Sequence, residues 1–136
     1  MTAQFTLPAP DAPAEEWGRL AVSIPGWRWW FEADWARPYG LPGFTRRSAN
    51  DGWRRVSDVS ECSMADEIAP DPDDPATAGW LLALLGTARH VNFHRFHNSG
   101  LWHVYYNGAQ LGIGPALGRA CIAAAAALGR WPGGAS

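Results

Sequence analysis

The chain has 136 residues, of which 47% are hydrophobic and 18% charged; this suits one globular domain that buries roughly two-thirds of its unfolded surface and excludes wholesale disorder. Its net charge of −2 conceals a polarity: thirteen acids and seven arginines lie at or before Asp74, a balance of −6, while four arginines, four histidines and no acid follow from Pro75. Such a split implies either attraction between the halves within the fold or a mildly basic face for a partner.

In chain order, residues 1–12 carry Pro8 and Pro10 and read as an extended N-terminal arm. A single domain follows over 13–131, with 132–136 and the wider WPGGAS run read as a tail. A first helix is expected after Asp11 as cap, with Pro13 in the first turn, Glu15 and Glu16 at the positive end, and Trp17, Leu20, Ala21 and Ile24 at helical spacing. Pro25 and Gly26 stop it. Residues 27–32 are expected to run extended, placing Trp27, Trp29 and Phe31 on a core face and Arg28, Trp30 and Glu32 on the other. WRRVSDV, 53–59, is a second candidate strand. Between them, RPYGLPGFTRRSANDG reads as a long surface loop, a kind of segment that is usually functional or mobile.

The acidic stretch DEIAPDPDDPATAG ends in a strong helix start, with Asp74 as cap and Pro75 at the first helical position, followed by WLLALL until Gly86. This helix is apolar nearly all round and is therefore expected to be buried. HVNFHRFHNSGLWHVYYNG then predicts a hairpin turning at Asn98, Ser99 and Gly100. Asn107 and Gly108 turn the chain again into GAQLGIG, and Pro115 opens a last helix to Gly129 whose alanines allow close backbone approach. The order of elements predicts an α+β fold, a small antiparallel sheet with helices packed on one face.

Several chemistries are weighed by residue type. On a strand, His90 and His94 stand about 13 Å apart, too far to share an ion whose ligands sit at about 2 Å. His94 or His97 with His103 across the hairpin keeps a metal-dependent enzyme open as an alternative. Cys62 and Cys121 have no metal-ligand spacing and read as free thiols of a reducing cytosol. Acidic neighbours quiet Cys62, and burial in the Ala-rich helix quiets Cys121. No GxSxG, HExxH or phosphate-loop motif occurs. The reading is therefore non-enzymatic, with no catalytic residue, metal or cofactor expected.

Nucleic-acid binding is a further alternative, built on Trp53 among Arg46, Arg47, Arg54 and Arg55, but it is set against the acidity of that half. The N-terminus has no positive charge before Arg19, and the longest apolar runs fall far short of the roughly 20 residues of a membrane span. A soluble cytoplasmic protein without a membrane partner is expected. Surplus Trp, Tyr and Arg are the residue types of interface anchors. Trp30, Trp35, Tyr39, Arg46, Arg47 and Trp53 are accordingly the expected contact residues for a protein partner, with burial of the aromatic loop as the competing reading.

A helix followed by PGWRW at 25–29, the DDPATAGWLLALL segment at 73–85, a GLWHVYYNG strand and a small-residue helix near the end together resemble small proteins encoded in tailed phages and prophages of GC-rich bacteria. The last helix departs from that pattern, which would have acidic residues there. The resemblance implies a phage accessory protein and nothing about its mechanism. Together with the small size, the lack of catalytic motifs and the surplus aromatics, it leads to the expectation of a protein that binds a host protein in the bacterial cytoplasm, such as an anti-CRISPR inhibitor of host defence, with self-association compatible. The resemblance implies no catalytic residue.

Overall fold

Asp74 caps helix α2 (Pro75–Leu85) as its sequence position predicts. Its carboxylate accepts the Thr77 amide at 3.0 Å, with Pro75 at the first helical position, a cap contributing about 1 kcal/mol. Trp80, Leu81, Leu84 and Leu85 of this helix are fully buried. The computed structural model describes residues 5–29, 44–47, 53–56, 67–87 and 89–134.

The fold is α+β, built among the described residues from three α-helices and two three-stranded antiparallel sheets. Helix α1 (Ala14–Ser23) starts at Pro13 with no side-chain cap, so Asp11 does not serve as one. Residues 27–29 form no strand. Trp27 and Trp29 nevertheless pack against the core, edge to face at 5.2 Å, and the Arg28 carbonyl accepts the Trp80 indole N–H at 2.8 Å. Once their rings are engaged in this way, the segment gains its burial without a sheet partner.

The first sheet has the order β2-β1-β3, with β1 (Phe44–Arg47), β2 (Trp53–Val56) and β3 (Glu67–Pro70). β1 lies inside the segment expected to be a loop, and β3 inside the acidic run. Both are four residues long, too short to show a period. Helix α1 packs on β3, and Thr45, buried in β1, donates its hydroxyl to the Ala69 carbonyl at 3.2 Å.

The second sheet has the order β4-β5-β6, with β4 (Val91–Arg95), β5 (Trp102–Tyr106) and β6 (Ala109–Gly114). The expected hairpin is present. His97–Ser99 form the turn, Gly100 follows at φ 70°, and its amide bonds the Phe96 carbonyl at 2.7 Å, the pattern of a three-residue loop closed by a glycine bulge. Asn107 and Gly108, both at positive φ, make the next two-residue turn.

Helix α3 (Leu117–Leu128) lies across β5 and β6 and against α2. It approaches so closely that a Cβ on Gly112 would run into the Ala120 carbonyl and the Ala124 amide. Buried Ala120, Ala123, Ala124 and Ala125 supply the matching flat surface. Gly129 ends the helix in the left-handed region, bonding Ala125 and Ala126 carbonyls.

The terminal segments are structural. Trp131, placed in a tail by the sequence reading, is fully buried, donates its indole N–H to Ala21 at 3.0 Å and stacks obliquely on Trp27. Residues 132–134 form a short 3-10 helix against α2. Near the other end, the Ala9 carbonyl accepts the Trp17 indole, and the Pro10 and Ala12 carbonyls accept the Arg119 guanidinium.

Candidate functional site

The expected contact residues divide sharply. Trp30, Trp35 and Tyr39 lie outside the described residues, as does Cys62. Arg46 falls in β1 opposite Arg54 and Ile68. Arg47 and Trp53 are brought together as a cross-strand pair, with the guanidinium 5.6 Å from the indole centroid. Arg47 also meets the Glu67 carboxylate at 3.2 Å, and Glu67 in turn holds Arg19 of α1 at 3.5 Å. Arg55 pairs with Asp71 at 3.0 Å. Trp53, Arg47, Glu67 and Arg19 thus form a row at the rim of the first sheet, in which two arginines share one carboxylate. Arg47 and Arg55 are thereby engaged within the protein, which weakens the cluster as a track for a phosphate backbone.

The second sheet presents a different surface. Strand alternation and register put Val91, Phe93, Arg95, Trp102, Val104 and Tyr106 on one side, where α3 packs on β5 and β6 while Phe93 on the edge strand β4 stays 44% exposed. Asn92, His94, His103, Tyr105 and Ile113 stand on the other side, which no described element covers. His94, His103 and Ile113 are direct cross-strand neighbours. The Phe96 ring lies 4.7 Å from the His94 ring and 4.3 Å from that of His103. Phe96 is 39% exposed and Ile113 42%. Because no Asp or Glu occurs after Asp74, the hairpin carries Arg89, Arg95 and four histidines without a carboxylate of its own.

His94 and His103 are the cross-strand pair that a metal reading requires. No group of three His, Cys, Asp or Glu side chains able to hold an ion exists among the described residues, and Phe96 occupies the space beside both rings. His103 Nδ1 is buried without a hydrogen-bond partner. Cys121 is fully buried in α3, and burial pushes its thiol far above the ordinary range, so it is inert as a nucleophile.

At the β4–β5 end of the same face lies a cleft of about 450 Å³ lined by Arg89, His90, Val91, Asn92, Tyr105, Asn107 and Gly108. The His90 Nδ1–H donates to Asn107 Oδ1 at 2.9 Å, and Asn92 Oδ1 accepts the Phe93 amide at 2.9 Å. The Val91 amide is bonded to the Thr87 carbonyl at 3.0 Å. Two donors on β4, an edge strand, are therefore satisfied locally, which blunts that edge against adding a foreign strand and leaves the sheet face as the surface open to contact.

Sequence reasoning named the hairpin histidines and weighed them as metal ligands or as solvated strand histidines, not as part of a contact face. The signal for the face was available in the alternation of Asn92, His94 and Phe96 against His103 and Tyr105. No described helix is long and apolar enough to cross a membrane. No family model, curated protein or solved structure matches the chain.

Proposed function

We propose that the protein is a non-enzymatic binding module that docks a partner protein on the face of the β4–β6 sheet that no described element covers. The observation that carries this reading is the half-exposed Phe96 held between His94 and His103 with Ile113 beside them. A preorganised aromatic and aliphatic anchor surrounded by polar groups is the anatomy of a protein contact. The carboxylate-free stretch from Pro75 onward fits a partner surface with an acidic rim. The phage-like segments at 25–29 and 73–85 support a bacterial host protein in the cytoplasm as that partner, with inhibition of a host defence complex as the concrete form.

The test compares the wild-type protein with Phe96→Glu and Ile113→Glu as cross-linking baits in bacterial lysate, with Glu16→Gln on exposed α1 as a control. The expected result is one stoichiometric protein captured by wild type and the control and lost with both face variants. Capture unaffected by either face variant would overturn the reading, as would a wild-type bait that cross-links only to itself.

A further inference from the structure

The cleft at the β4–β5 end of that face is chemically distinct from the Phe96 and Ile113 contact. Its lining brings together one guanidinium, two carboxamides, an imidazole and a phenol ring, with no carboxylate among the described residues around it. The two carboxamide carbonyls each already accept one bond inside the protein, Asn92 Oδ1 from the Phe93 amide and Asn107 Oδ1 from His90. What remains for a ligand is weighted toward donors: the two carboxamide NH2 groups and the Arg89 side chain, which has no acidic partner among the described residues, beside the Tyr105 hydroxyl and His90 Nε2, which the Nδ1–H bond leaves as an acceptor. A concave site rich in donors and lacking acid selects an anion. Its volume of about 450 Å³ falls within the range of roughly 300–1,000 Å³ typical of small-molecule sites and far exceeds the space needed by a phosphate ion.

We infer that this cleft binds a nucleoside phosphate, with Arg89 on the phosphoryl oxygens, the Tyr105 ring against the base, and the Asn92 and Asn107 amino groups on base or ribose acceptors. Arginine matches phosphate in a two-point fork that a lysine cannot form. Tyrosine offers a flat face on which any base stacks. The same chemistry is presented by a free mononucleotide and by the phosphorylated end of a single strand. This assignment does not depend on the protein-docking face, since Phe96 and Ile113 do not line the cleft.

The experiment is a calorimetric titration of the full chain with AMP, adenosine, inorganic phosphate, and a single-stranded hexanucleotide with or without a 5′ phosphate. AMP is expected to bind at least ten-fold more tightly than either adenosine or inorganic phosphate. Arg89→Ala is expected to weaken AMP at least ten-fold, Tyr105→Leu is expected to weaken it as well, and Arg130→Ala, an exposed arginine outside the cleft, is expected to leave it unchanged. A phosphorylated hexamer that binds more tightly than both AMP and its unphosphorylated form identifies the strand end as the source; equal binding of AMP and the phosphorylated hexamer identifies the free nucleotide. Absence of AMP binding, AMP no tighter than inorganic phosphate, or AMP binding indifferent to Arg89→Ala would each overturn the assignment while leaving the protein-docking reading intact.

Discussion

Arg119 Nε and Nη2 meet the two carboxylate oxygens of Asp73 at 2.8 and 2.9 Å, joining the start of α3 to the turn that precedes α2. The Arg119 side chain is 9% exposed and that of Asp73 29%. The third guanidinium nitrogen reaches the carbonyls of Pro10 and Ala12. The hydrogen bond that Arg119 donates to Asp73 raises the guanidinium above its ordinary pKa, so the ion stays charged despite its burial.

Removing this arginine strands a carboxylate and two carbonyls at once. Arg119→Met is expected to cost about 3 kcal/mol of unfolding free energy, in line with breaking a buried pair. Asp73→Asn keeps the shape but leaves the buried guanidinium without its counter-charge and faces one of its N–H groups with an NH2, so it should cost about 3 kcal/mol as well. Urea denaturation of both variants checks this; an Arg119→Met protein as stable as wild type would show that the strap does not bear on stability.

Asp71 supplies a pH dependence of defined sign. Its side chain is 3% exposed, and burial, as the largest cause, raises its pKa above the ordinary 3.8 against the opposing Asp73 amide bond and the Arg55 charge. The folded state therefore holds this proton more firmly than the unfolded one. The stabilisation is complete below the unfolded pKa and is lost as pH rises through the higher folded value. Relative to Asp71→Asn, which does not titrate, wild-type stability should fall as pH is raised upward from about 4. Urea unfolding of both proteins in half-unit pH steps reads the difference directly, and wild-type stability that rises relative to Asp71→Asn as pH is raised would contradict this account.

Trp131 closes the core from the far end of the chain. Trp131→Ala is expected to cost about 3–5 kcal/mol, because a large buried ring is lost and the Ala21 carbonyl and the Trp27 ring are left facing a cavity. A chain ending at Arg130 should show no cooperative thermal transition by circular dichroism. If it melts at the wild-type temperature, the indole is not part of the core.

Much of the fold was legible where local chemistry decides conformation. The Asp74-Pro75 start, the glycine after Ser99, the Asn107-Gly108 turn and Gly129 each act within a few residues of themselves. The site was less legible. The hairpin histidines were visible, but a strand pattern does not say which side a helix will cover, so the choice between core and open face waited for α3 to settle on Gly112.

The chain by itself determined the α+β composition, the boundaries of α2 and of the second sheet, and the absence of acid beyond Asp74, because caps, turns and charge are local properties. Only the tertiary structure decided that Phe44–Arg47 is a strand, that Trp131 belongs to the core, and that Arg47 meets Glu67 while Arg89 and Arg95 meet no carboxylate among the described residues. Those outcomes depend on partners distant in sequence, as with Arg119 and Asp73, whose pairing energy exists only once the backbone has brought them together.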